Sequence, residues 1–98
     1  MRILKASTKA GQRVIAMYKR NDGYQLSDCY GKYSARKQAA YDSCLRAFQS
    51  DNKATNFHIG SHGCQTFTVA WKYVDENTGH EMVRVETAEN TYRVDLEA

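Results

Sequence analysis

Residues 67–73 read Phe-Thr-Val-Ala-Trp-Lys-Tyr, and this alternation limits the fold more than any other stretch of the chain. With a period of two, Phe67, Val69, Trp71 and Tyr73 fall on one face of a strand. Thr68, Ala70 and Lys72 fall on the other. Asp75-Glu76-Asn77-Thr78-Gly79 follows as a hairpin loop, with a glycine for the left-handed position. Met82-Val83-Arg84-Val85-Glu86 is the partner strand, and Ala88-Glu89-Asn90 is a second turn. Thr91 to Leu96 alternates again, with Tyr92, Val94 and Leu96 inward. Strands joined by such short turns are antiparallel.

The upstream segments add to this meander. Asn56-Phe57-His58-Ile59-Gly60 is a further short strand, and Gly60-Ser61-His62-Gly63 has the composition of a turn. Ala35 to Ser50 contains neither Gly nor Pro, and Ser34 before it is a candidate N-cap. Ala40, Tyr41, Cys44, Leu45, Ala47 and Phe48 lie within one arc at helical spacing. The stretch Arg13 to Arg20 is rich in strand formers, Asn21-Asp22-Gly23 suits a tight turn, and Tyr24 to Tyr30 alternates. These three segments predict a β-hairpin, with a short strand or arm before it in residues 1–12.

The expected fold is therefore α+β. A β-hairpin comes first, then one helix, then an antiparallel meander of three to four strands, packed as a two-layer sandwich. At 98 residues the chain forms one domain, residues 1–98. One sheet face or the sheet edges would stay open, and an open edge invites strand addition, including a homodimer. Without proline, the chain has no prolyl isomerisation to slow its folding.

Charge is unevenly spread. Residues 1–53 hold 11 Lys+Arg against 4 Asp+Glu, a net of +7, and residues 54–98 hold 3 against 7, a net of −4. A basic first half attracts phosphate or an acidic protein surface. Lys19, Arg20, Lys32, Arg36, Lys37 and Arg46 are interleaved with Tyr18, Tyr24, Tyr30 and Tyr33. Arginine and tyrosine dominate protein hot spots, and they also suit single-stranded nucleic acid. Of these, Lys19, Arg20, Tyr24, Tyr30, Arg36, Lys37 and Arg46 are the candidate basic contacts. Glu81, Glu86 and Glu89, on the acidic strands, are candidate phosphate mimics.

Other chemistry has weaker support. His58-x3-His62-x-Cys64 has a metal-like look, with Cys29 or His80 as a fourth ligand, but it lacks a CxxC pair. No metal or other cofactor is expected. A Cys64–His62 nucleophile pair would need a third, orienting group. Cys44 sits on the apolar helix arc and reads as core. Three cysteines are an odd number, so reduced thiols are expected. The carboxylates fall on outward strand positions or in turns, where nothing raises a pKa. The glycines of residues 60–63 lack the continuation of a P-loop. These observations predict a binding protein and not an enzyme. No apolar run approaches a membrane span and no leader pattern opens the chain, so a cytoplasmic protein is expected.

One resemblance bears on the setting. The pattern Tyr24-x9-Ser34, Gln38-Ala39-Ala40-Tyr41-x2-Cys44, Phe57-x3-Ser61-His62 and Thr66-Phe67-Thr68-Val69 resembles a loose group of small proteins. These are encoded on phages and other mobile elements of gut bacteria, and the resemblance covers roughly residues 14–96. It implies a setting rich in small non-enzymatic inhibitors of host defence, anti-CRISPR proteins among them. It transfers no functional residue. Two readings follow. In the first, the chain inhibits a host nucleic-acid-processing protein, such as a CRISPR effector, by direct contact. In the second, it is a nucleic-acid-binding accessory protein that uses the basic, tyrosine-rich face.

Overall fold

The computed structural model describes residues 2–20, 35–62, 66–87 and 90–98. Its elements are β1 (Ile3–Lys5), α1 (Lys9–Arg20), α2 (Ala35–Ser50), β2 (Thr55–His62), β3 (Thr66–Val74), β4 (Glu81–Glu86) and β5 (Thr91–Asp95). The five strands form one sheet in the order β1-β5-β4-β3-β2. β2 to β5 make the expected antiparallel meander, and β1 joins its far edge parallel to β5. The α+β class, the 35–50 helix and the meander match the sequence reading.

Residues 13–20 differ from it. They form the last two-thirds of α1, not a hairpin strand. Gly11, Val14, Ile15 and Tyr18 recur at i, i+3, i+4 and i+7, which is helical spacing and sets one stripe against the sheet. The β-branched pair Val14-Ile15 favours a strand only locally, and tertiary burial overrides that preference. Thr8 caps the helix: its hydroxyl oxygen accepts the Gly11 N–H at 3.1 Å. Gly11 is there because β1 is close. A Cβ at this position would stand 2.0 Å from the Lys5 carbonyl oxygen. The expected return strand Tyr24–Tyr30, the turn before it and the Ser34 cap lie outside the described residues.

A helix on each face replaces the two-layer arrangement. Val14 and Tyr18 of α1 pack on Ala70, Val83, Val85 and Val94. On the opposite face, Tyr41, Cys44, Ala47 and Phe48 of α2 cover Ile59, Val69, Trp71, Tyr73 and Met82. The alternation of β3 divides the two cores as its period requires: Ala70 faces α1, whereas Val69, Trp71 and Tyr73 face α2. Trp71 is fully buried, with Phe57 stacked on it at 5.9 Å and Phe48 edge-on at 5.8 Å. A bulge delivers Phe57 there. Thr55 pairs with Lys72 and His58 with Ala70, which leaves one extra residue on β2, and Asn56 takes a left-handed φ of 58°.

The strand before this hairpin is longer than expected. Gly60, Ser61 and His62 pair with Thr68, Phe67 and Thr66, so the ladder runs through the glycine instead of turning at it. β1 and β2 are the two edges of the sheet.

Candidate functional site

Three regions bring charged and polar side chains together. The first is the outer side of α1. With Val14 and Tyr18 turned to the sheet, Lys9, Gln12, Arg13, Ala16 and Lys19 are exposed. Arg2 and Lys5, flanking and ending β1, are exposed too. The helix carries Lys9, Arg13, Lys19 and Arg20 and no acidic residue. Among the described residues, none of Arg2, Lys5, Lys9, Arg13 and Lys19 forms an ion pair with a carboxylate. Lys5 alternates with Leu4, which packs on the α1 side, so it faces away from the helix. Uncompensated cations along one helix raise the local concentration of polyanions.

The second surface lies on the α2 side of the sheet. Arg84 donates from Nη1 to Asp51 Oδ2 at 3.3 Å and from Nε to Glu86 Oε1 at 2.9 Å, with Nη2 also on Glu86. Its guanidinium lies 5.0 Å from the Trp71 ring centroid. Trp71 Nε1 donates to the same Asp51 oxygen at 2.7 Å. The Cys44 thiol faces Glu86 Oε2 at 3.7 Å. Burial pushes that thiol up to about 11, helped by the Glu86 charge and hydrogen bond and opposed by Arg84. A thiol held so high is a poor nucleophile at neutral pH.

The third is a polar cleft of about 570 Å³ where the end of α2 meets the β3–β4 turn and the β5–β1 edge. Asp51, Asn52, Tyr73, Asp75 and Arg93 are among the residues lining it. Arg93 donates from Nη1 to Tyr73 Oη at 2.7 Å and lies over the Tyr73 ring at 5.1 Å. Nearby, the β3–β4 turn is tied to the β5 end through His80, whose Nδ1 stands 2.9 Å from Asp95 Oδ2. That hydrogen bond raises the His80 pKa against the opposing effect of desolvation.

The residues expected from the sequence are distributed among these surfaces. Lys19 is exposed on α1, and Arg20 ends that helix. Arg46 is exposed on α2, across the sheet from Lys19, so the two do not share a face. Arg36 and Lys37 belong to the first turn of α2, and their side chains lie outside the described residues, as do Tyr24, Tyr30 and Glu89. Glu81 is exposed and pairs with Lys72 at 3.1 Å.

Glu86 requires a correction. It is half-buried and held by Arg84, so it cannot stand as an outward phosphate mimic. A strand-end glutamate two residues from an arginine on the same face finds its charge partner inside the chain. His58 is stacked on Tyr18 at 4.8 Å, and Cys29 and Cys64 lie outside the described residues. Among the described residues no group of three or more His, Cys, Asp or Glu is placed to hold a metal ion. No described helix is long and apolar enough to cross a membrane.

Lys9, Arg13, Asp51, Arg84 and Arg93 were not singled out from the sequence. The helical spacing of Gly11, Val14, Ile15 and Tyr18 would have placed the first two on an outer face. The arginines occupy alternate positions to Val83, Val85 and Val94, which marks them as facing the side opposite α1. No family model matches the chain, and no curated protein or solved structure matches it either.

Proposed function

We propose that the chain is a nucleic-acid-binding protein whose contact surface is the outer side of α1. The observation that carries this reading is the set Lys9, Arg13 and Lys19 on α1, exposed and unpaired with carboxylates among the described residues. A helix of 12 residues is about 18 Å long, which matches the axial rise of about five phosphates on one strand of a duplex. Lys9 and Arg13 stand four residues apart on one stripe, and Lys19 lies more than a turn further toward the helix end and about 120° round the axis, so the cations spread along the helix instead of clustering at a point. Such contacts position the protein without reading sequence, which suits an accessory role.

The other expectation, inhibition of a host defence protein by acidic mimicry, loses support from Glu86, which Arg84 already neutralises. Inhibition through the basic face of α1 is compatible with the present reading, since a defence complex carries its own nucleic acid.

Fluorescence anisotropy against single- and double-stranded DNA and RNA tests the proposal at two salt concentrations. With three phosphate contacts, the slope of log K against log salt on duplex DNA should be about −3, and lower in magnitude on single strands. Reversing Lys9, Arg13 and Lys19 to Glu should abolish binding. Arg46→Glu, on the opposite side of the sheet, should leave it unchanged. No binding to any of the four forms, or binding that survives the triple reversal, would reject the reading.

A further inference from the structure

We propose that the cleft at the end of α2 is a binding site for a small zwitterionic carboxylate with an apolar body, an apolar α-amino acid being the simplest case. This proposal does not depend on the nucleic-acid reading, which concerns a different surface.

The first support is the state of Arg93. Arg84 and Arg93 are Cα partners on β4 and β5. Arg84 is neutralised by two carboxylates, whereas Arg93, half-buried, has no carboxylate partner among the described residues. Its hydrogen bond to Tyr73 Oη satisfies one donor of a guanidinium that carries five. A partly desolvated cation with spare donors is favourable ground for a carboxylate, which a guanidinium can take through two bonds.

The second support is the cleft itself. Its volume of about 570 Å³ is in the range of small-molecule sites, and it has walls of different character. Ile3 contributes an apolar wall and is 49% exposed, the one large hydrophobic side chain left so open among the described residues. Glu76 and Asn77 stand on the exposed rim. Glu76 forms no ion pair among the described residues, and it is the natural counter-charge for an ammonium.

The other carboxylates of the cleft are already engaged. Asp51 Oδ2 receives Trp71 and Arg84, and Asp75 Oδ1 accepts the N–H groups of Asn77 and Thr78. An inner cation, an apolar wall and an outer anion together match a molecule with a carboxylate at one end, a hydrocarbon body and an ammonium. An inorganic phosphate would leave the wall and the rim unused.

The experiment is an NMR titration of the full chain, following backbone amides, with leucine, 4-methylpentanoate and 3-methylbutylamine as three separate probes. Leucine should give saturable shifts at Ile3, Asn77 and Arg93 with a Kd of about 1 mM or tighter. 4-Methylpentanoate, which lacks the ammonium, should bind roughly tenfold more weakly, and 3-methylbutylamine, which lacks the carboxylate, should not bind. Arg93→Gln should weaken leucine at least about tenfold while leaving nucleic-acid affinity unchanged. Ile3→Glu, at an exposed position, should weaken leucine as well and guards against misfolding of the arginine variant. The proposal is overturned by the absence of saturable shifts up to about 10 mM leucine, by unchanged leucine affinity in both variants, or by equal affinity for leucine and either analogue.

Discussion

Arg84 and Trp71 converge on a single oxygen, Asp51 Oδ2, so the residue that closes α2 is anchored by a strand indole and a strand guanidinium together. Asp51 follows Ser50, the last residue of the helix, and its side chain is only 13% exposed. The link therefore fixes where α2 ends relative to β3 and β4. It also fixes one wall of the cleft, since Asp51 lines both the network and the cleft.

Removing Arg84 should be costly for this reason. Arg84→Ala leaves Asp51 and Glu86 as two largely buried carboxylates without their cation. Breaking a buried pair from one side typically costs about 3–5 kcal/mol. A loss of about 3 kcal/mol in urea denaturation is expected, against less than about 1 kcal/mol for removal of the exposed Lys72–Glu81 pair by Lys72→Ala. Equal effects of the two substitutions would mean that the Arg84 network does not stabilise the fold.

Gly11→Ala should destabilise the chain although alanine is the better helix former. On propensity alone the change gains up to about 1 kcal/mol. Here the new Cβ would overlap the Lys5 carbonyl oxygen, a backbone atom held in place by the N–H and the hydroxyl of Thr8. Overpacking of this kind costs about 1–3 kcal/mol, so the clash outweighs the propensity gain. A lower Tm for Gly11→Ala, with Ala16→Gly lowering Tm through propensity alone, is the expected pattern. A raised Tm for Gly11→Ala would show that α1 does not lie so close to β1.

The same helix shows why part of the fold was legible and part was not. The meander could be read because strand alternation and turn residues are local signals: Trp71 and Ala70 lie on opposite faces, as their positions require. Helix α2 was legible for the same reason. Helix α1 was not, because its helical spacing competes with a β-branched Val14-Ile15 pair followed by turn residues, and what decides is packing on Val83 and Val94, most of the chain away. β1 pairs parallel with β5, some 90 positions away, and no local pattern of three residues announces such a partner. The candidate surfaces followed the same division. Lys19 and Glu81 are exposed as expected, but the cleft around Arg93 depends on which strands are neighbours, and Glu86 turns inward because α2 covers its face of the sheet.

Cys44 should react slowly with alkylating agents. With the thiol at about 11, only about one molecule in a thousand is thiolate at pH 8. Burial is the largest cause, followed by the Glu86 charge and hydrogen bond. Glu86→Gln removes the charge and should speed iodoacetamide labelling of Cys44 several-fold, read by peptide mass mapping so that the other cysteines do not interfere. Labelling as fast as that of free cysteine in the unsubstituted chain would contradict the geometry around Sγ.

The His80–Asp95 pair should give the chain a pH dependence of definite sign. His80 is raised from its ordinary value of 6.5, chiefly by the hydrogen bond to Asp95 and against desolvation, with the Asp95, Glu97 and Asp75 charges adding to it. Its contribution to stability is therefore fully present below about pH 6.5 and is lost as pH rises through the folded value. For Asp95, burial pulls upward, but the His80 hydrogen bond, the Glu97 N–H and the His80 charge outweigh it and leave the carboxyl lowered. That contribution is present above the ordinary carboxylate range and is lost as pH falls through the folded value. The two conditions overlap between roughly pH 4 and 6.5, where the strap from the β3–β4 turn to β5 is tightest. An NMR titration of the His80 ring protons should report a midpoint above 6.5 in the unsubstituted chain, returning toward 6.5 in Asp95→Asn. A midpoint that Asp95→Asn does not move would show that the surrounding carboxylates, and not this hydrogen bond, hold the proton on His80.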